Sequence, residues 1–217
     1  MNSTPKTKKN KKKKIIICLL ILIIMACIVV TTYFLYFKKE ESLPEPIKVE
    51  VLDKIAGYEY NLEDRDTSLY KEKFLQLKEL LESEEIDYEE YAKILAELFV
   101  IDLYTIENKI SKYDVGSLEF IYPEEQEKFK NKVMDSIYKL VEDNSTNTRK
   151  QDLPVVSNVV LSDLKEASYK KGNSTLSGYK VNVTISYEKD LKYDKEVSIT
   201  LVQEENRIYV VNISPVE

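Results

Sequence analysis

Residues 179–187 read Tyr-Lys-Val-Asn-Val-Thr-Ile-Ser-Tyr. Tyr179, Val181, Val183, Ile185 and Tyr187 alternate with Lys180, Asn182, Thr184 and Ser186. Successive side chains of a strand point to opposite faces, so the stretch predicts a strand with one covered and one wet face. Val155 to Leu164, Val197 to Val202 and Ile208 to Ile213 are three further strand candidates. Gly172 and Gly178, with Asn173 and Ser174, mark one connection, and Glu205-Asn206 suits the turn of a final hairpin.

Upstream the period changes to a helical one. Leu69, Tyr70, Phe74, Leu77 and Leu81 recur at three- and four-residue steps and predict a helix near 67–82. Asp87, with Glu90 three residues on, opens a second helix near 88–107, whose Leu95, Leu98, Phe99, Ile101 and Leu103 place it centrally. A third helix is expected from Pro123, with Glu124, Glu125 and Glu127 at the positive end of its dipole. Its buried stripe is Phe129, Val133, Ile137 and Leu140 or Val141. Ile47 to Leu62 reads as extended or irregular lead-in, and Asp143 to Asp152 as a polar loop. Helices followed by strands indicate α+β, about three helices on one face of a curved antiparallel sheet of about four strands. The helical part is 47–150 and the strand part 151–217.

The chain has 217 residues, 32 basic and 38 acidic, for a formal charge of −6. That sum joins two unlike parts. Residues 1–39 hold nine Lys and no acid; the remaining 178, with 23 basic and 38 acidic side chains, carry −15. After a basic tail (1–14), residues 15–37 contain no charge, proline or glycine. As a helix this run is about 34 Å long, enough for a hydrocarbon core of about 30 Å. Tyr33, Phe34, Tyr36 and Phe37 suit the headgroup level at its far end. Seven Lys precede the run, whereas Lys38 and Lys39 are diluted by Glu40 and Glu41. The positive-inside rule therefore puts the N-terminus in the cytoplasm and the acidic bulk outside the cell membrane, beyond a stiff linker at 38–46 with Pro44 and Pro46.

A cleaved signal peptide has a shorter apolar core and a small-residue cleavage site. Ile24-Met25-Ala26-Cys27 resembles a lipobox, which would make Cys27 a lipidation site, but strongly apolar residues follow it. The uncleaved anchor fits best. Cys18 and Cys27 both fall inside the span, so the outer region has no disulfide and no cysteine metal site.

Three helices, then a four-stranded meander, behind an N-in single span, resemble the nuclear transport factor 2-like cone. Tyr113-Asp114-Val115-Gly116, then Phe120-Ile121-Tyr122-Pro123, resembles the helix–loop–helix passage of such folds, and also reads as a turn using Gly116. Within that superfamily the architecture is similar to the bitopic VirB8-type components of type IV secretion and conjugation machines. The likeness covers 47–217. It implies a non-enzymatic scaffold that oligomerises or docks protein partners; a small-ligand-binding or sensor domain is the alternative. Fold alone does not establish either.

Residue chemistry narrows the field further. The chain has no histidine, which removes histidine zinc sites and nucleophile–histidine catalysis. Asn61, Glu63, Asp64 and Asp66 could offer oxygens to calcium, but lack the ligand spacing and glycine of an EF-hand, so a capping or loop role is expected. The other acidic pairs (Glu84 and Glu85, Glu89 and Glu90, Glu124 and Glu125) read as solvated helix faces or first turns. Tyr58, Tyr60, Tyr113, Tyr122, Tyr179, Tyr187 and Tyr193 could line the mouth of a cone, or serve ordinary packing. A proton-transfer enzyme would need an Asp facing a Tyr hydroxyl; Asp114 beside Tyr113 is nominally available, though sequence neighbours seldom face one pocket. A region at −15 repels nucleic acid, and Asn173, Asn182 and Asn212 matter as glycosylation triplets only in a eukaryotic secretory route. No catalytic, cofactor-binding or metal residue is expected. The expected partners are the lipid bilayer and either envelope proteins or a second copy.

Overall fold

The computed structural model describes residues 8–37 and 46–216, which fall in two separate compact units divided at Glu45. The first seven residues of the basic tail, the linker over 38–45 and the side chains of Cys18, Phe34, Tyr36 and Phe37 lie outside the described residues.

The first unit holds α1 (Lys8–Phe37). Its Ile15–Tyr33 segment has a mean hydropathy of 3.3 and no buried side chain within the unit. At 1.5 Å per residue those 19 residues reach about 28 Å, so the helix is long and apolar enough to cross a bilayer. Thr31 and Thr32 satisfy their hydroxyls on the helix itself, donating to the Cys27 carbonyl at 2.7 Å and the Ile28 carbonyl at 2.8 Å. Cys27 is a free, exposed thiol.

The second unit is α+β. A hairpin opens it: β1 (Val51–Ile55) pairs antiparallel with β2 (Tyr60–Glu63) around Gly57 and Glu59, both at positive φ. Of the two readings of Ile47 to Leu62, extended or irregular, the extended one holds, as a hairpin. Next comes α2 (Ser68–Leu81), capped by the Thr67 hydroxyl, which accepts from the Tyr70 amide at 3.2 Å. Its Tyr70, Phe74, Leu77 and Leu81 are buried, as the spacing predicts. Asp87 caps α3 (Tyr88–Tyr104) by accepting from the Glu89 and Glu90 amides at 3.0 and 3.1 Å. α3 is central, packing against both α2 and the main sheet. It stops at Tyr104 rather than 107, because the Ile106 and Glu107 amides turn to the Pro154 carbonyl.

The third helix departs most from expectation. After a 3₁₀ turn at Leu118–Phe120, α4 (Gln126–Asp135) starts three residues beyond Pro123 and has only ten residues. Ser136 breaks it, at φ −122° and ψ −92°, and turn bonds carry the chain on to Val141. That break lets Tyr138 bury its ring and donate to the Leu103 carbonyl at 2.9 Å, while Leu140 is left 79% exposed. Val133 and Val141 are buried; Phe129 and Ile137 only partly so.

The main sheet has five strands rather than four, all antiparallel: β3 (Val156–Leu161), β4 (Lys165–Lys171), β5 (Ser174–Tyr187), β6 (Glu196–Glu204) and β7 (Arg207–Pro215). Its order is β3-β5-β6-β7, and β4 shares the side of β5 that β3 occupies further along. Gly172 and Asn173 turn the β4–β5 hairpin, but Gly178 lies inside β5, where a Cβ would collide with the Leu201 carbonyl. The sequence reading missed β4 because Lys-Glu-Ala-Ser-Tyr-Lys-Lys has no fully buried residue on either face. Glu205-Asn206 turns β6 into β7, with Glu205 at φ 57°. Val181, Val183, Ile185, Ile199, Leu201, Ile208 and Val210 are buried in one core with α3.

Candidate functional site

A cleft of about 220 Å³ opens where the end of β2, the loop into α2, the C-terminal part of α3 and residues 109–119 converge. Arg65 organises its rim. Its Nε donates to Glu63 at 2.7 Å, its Nη2 to Asp114 Oδ1 at 3.1 Å and its Nη1 to Asp114 Oδ2, a planar fork on a carboxylate. Burial works to raise the Asp114 carboxyl, but the guanidinium and the Ile110 amide at 2.8 Å outweigh it and hold it below the ordinary range.

The floor is an ion pair. Lys109, 3% exposed, donates to Asp102 Oδ1, and Asp102 Oδ2 accepts from the Ser117 amide. Gly116 permits this approach, since a Cβ there would stand 2.6 Å from Asp102 Oδ2. Ser117 then adopts a left-handed φ of 65° to aim its amide at the carboxylate. Such a pair is desolvated at a cost that only full hydrogen bonding offsets, and here backbone, hydroxyl and ammonium all converge on one carboxylate.

Two further acids sit against that floor. Burial pushes Asp66 up to about 6, opposed by the Glu63 amide and aided by the charge of Asp102. Glu119, partly open to the cleft but crowded by protein atoms, is pushed up to about 8 by burial and then by Asp102. Two carboxyls raised by burial, Asp66 and Glu119, thus share the cleft with Arg65 and the Lys109–Asp102 pair.

Three of the four candidate calcium ligands, Asn61, Glu63 and Asp66, line this cleft. Asp64 does not; its carboxylate accepts from the Glu50 amide at 3.2 Å, and Asp66 accepts from the Glu63 amide at 2.7 Å, both loop roles. Among the described residues no three acidic or sulfur side chains come together in a way that could hold a metal ion. Asp114 enters the cleft while Tyr113 is 61% exposed, so the two do not form a proton-transfer pair.

No family model, curated protein or solved structure matches this chain.

The tyrosines are divided among separate clusters instead of one mouth. Tyr60 is buried, its hydroxyl 2.6 Å from that of Tyr91, and its ring stacks on Tyr58 at 5.7 Å. Tyr122 stacks on Tyr209 at 4.2 Å, and Tyr187 meets Tyr193 at 6.5 Å. Arg207 stands between Tyr60 and Tyr209, 4.9 and 5.2 Å from their ring centres, and Lys171 lies 3.9 Å over Tyr122. This ladder of cations and rings ties β2, β4 and β7 together.

Sequence reasoning missed Arg65, Asp102, Lys109 and Glu119. One signal was present: against 29 Lys the chain has only three Arg. Arg65 forks onto Asp114, Arg149 reaches the Lys109 and Glu107 carbonyls at 2.8 and 2.6 Å, and Arg207 lies between two rings. Each arginine sits where a planar, multi-donor cation is needed.

Proposed function

We propose that this protein is a single-pass membrane-anchored, non-catalytic scaffold or adaptor whose acidic domain lies outside the cell membrane, as part of a cell-envelope secretion or conjugation assembly. The observation that carries the reading is how the α+β unit is filled. Leu95, Leu98 and Phe99 of α3 and Val183, Ile199 and Leu201 of the sheet belong to one core and are all essentially inaccessible, which supports a filled interior between helix and sheet. The element order, with helices first and an antiparallel meander after, supports the nuclear transport factor 2-like reading. The apolar Ile15–Tyr33 segment supports the anchor, and the lysines before it an N-in orientation.

A domain with a filled interior acts through its surface, and its ion pairs tie the elements into a rigid body. Lys73 meets Glu97 at 2.6 Å between α2 and α3, and Lys78 meets Asp53 at 2.7 Å between α2 and β1. Chemical crosslinking of the full chain in its native membranes, read by mass spectrometry, tests the scaffold. Crosslinks to a second copy or to envelope proteins are expected; a strictly monomeric chain without partners refutes it.

The second reading, a small-ligand sensor, draws on the charged cleft. Thermal-shift screening of polar metabolites separates the two, since a ligand held only by the native state raises the melting temperature. A rise that is lost in Arg65→Met would favour the sensor.

A further inference from the structure

The charges of the Arg65 cleft do not balance. Arg65 is committed to Glu63 and Asp114, and Lys109 to Asp102, so both cations are already met by carboxylates. Two carboxyls are left without a cation. Asp66 accepts the Glu63 amide with Oδ2 at 2.7 Å and leaves Oδ1 without a partner among the described residues. The Glu119 carboxyl meets only its own backbone amide.

Tyr70 gives an independent sign of a missing partner. It is 3% exposed, it lines the cleft, and its hydroxyl has no hydrogen-bond partner among the described residues. A covered hydroxyl rarely stays unmatched, and a phenol can both donate and accept. Its position is built: Thr67 accepts from the Tyr70 amide at 3.2 Å, and Phe74 stacks on its ring at 6.5 Å. Burial, and then the charges of Glu119, Asp102 and Asp66, push that hydroxyl up, so it keeps its proton. Surplus negative charge beside an unmatched hydroxyl is the complement of a cation that donates hydrogen bonds. Among the described residues no three acids gather to hold a metal ion, whereas an ammonium needs only a few directed acceptors. Val115 and Leu118 give the cleft an apolar side, and about 220 Å³ admits a short alkyl chain.

We propose that this cleft binds a small primary amine, whose ammonium donates to the Glu119 carboxylate and the Tyr70 hydroxyl while its alkyl chain lies against Val115 and Leu118. Asp66 adds negative charge beside it. The bound cation favours the ionised form of Glu119, a carboxyl pushed up to about 8 by burial and then by Asp102. Glu63 of β2 opposes that ionisation and Lys109 favours it; Asp66, Asp114, Arg65 and Tyr70 complete the ionisable lining. Binding below pH 8 therefore releases a proton, and affinity is expected to fall at least tenfold between pH 8 and pH 6. The proposal deepens the sensor reading by naming the class of its ligand.

The test is isothermal titration calorimetry of the full chain in detergent micelles with 1-butylamine hydrochloride, in two pH 7.5 buffers of different ionisation enthalpy. Saturable binding with proton release is expected, weakened at least tenfold by Glu119→Gln and several-fold by Tyr70→Phe. Tyr70→Phe removes an unmatched hydroxyl, so its melting temperature is expected to equal or exceed that of the native chain. Neither 1-butanol, which lacks the charge, nor trimethylbutylammonium, which lacks the N–H donors, is expected to bind. No binding, equal binding of the trimethylated cation, binding untouched by the two variants, or tighter binding of calcium chloride overturns the proposal. A polar metabolite that raises the melting temperature while butylamine gives no heat also overturns it, and leaves the sensor reading standing.

Discussion

Replacing Glu119 by Gln removes a carboxyl that the fold holds protonated well above its ordinary range. An unfolded glutamate releases its proton near 4.5, and the folded one near 8. Between those values the native state binds the extra proton, so stability falls as pH rises through the window and levels off above 8. At about 1.4 kcal/mol per pH unit the whole interval corresponds to about 5 kcal/mol. Water entering the cleft returns much of that, leaving on the order of 2 kcal/mol. The neutral amide has no such proton, so Glu119→Gln is expected to match the native chain at pH 4.5 and to exceed it by about 2 kcal/mol at pH 8.5. Urea unfolding followed by near-ultraviolet circular dichroism of the tyrosines, at pH 4.5, 6.5 and 8.5, measures this. A shallower slope remains below pH 6 in the variant, because Asp66, raised to about 6, acts with the same sign. Parallel stability–pH curves for the two chains, or a variant less stable at pH 8.5, would refute the reasoning.

Other perturbations follow from the same packing. Lys109→Met leaves Asp102 buried without its cation and is expected to cost about 3–5 kcal/mol in urea unfolding, while adding Asp102→Leu recovers most of the loss. Gly116→Ala drives a methyl to 2.6 Å from Asp102 Oδ2 and is expected to cost about 1–3 kcal/mol, visible as a lowered melting temperature. Asp87→Ala removes the acceptor for two amides of α3 and is expected to cost about 1 kcal/mol. The intact mass of the mature chain is expected to match the uncleaved, unlipidated sequence, which separates an anchor from a lipobox at Cys27.

The readable parts of the fold were those where one residue dictates one geometry. The stripe of α2 and the alternation of β5 survive into the structure because each element has a single buried face. β4 was illegible for the opposite reason: one of its faces is exposed and the other only half-buried, and it is a strand because β5 extends past β3 to pair with it. α4 was overextended because apolar spacing continues through Ile137 to Leu140 or Val141, whereas the chain breaks at Ser136 and buries Tyr138 instead. The cleft was half legible. Asn61, Glu63 and Asp66 stood out as a local group, but Asp102, Lys109 and Glu119 reach it from separate elements with no shared spacing.

An extracytoplasmic scaffold requires the acidic domain to lie outside the membrane, and cysteine accessibility in intact cells tests that directly. Leu140 is 79% exposed, so Leu140→Cys gives a reactive handle on the domain, and Ser3→Cys gives one on the basic tail. With a membrane-impermeant maleimide and the native chain as background, Leu140→Cys is expected to label in intact cells and Ser3→Cys only after lysis. Labelling of Ser3→Cys in intact cells, with Leu140→Cys protected, would contradict an extracytoplasmic scaffold.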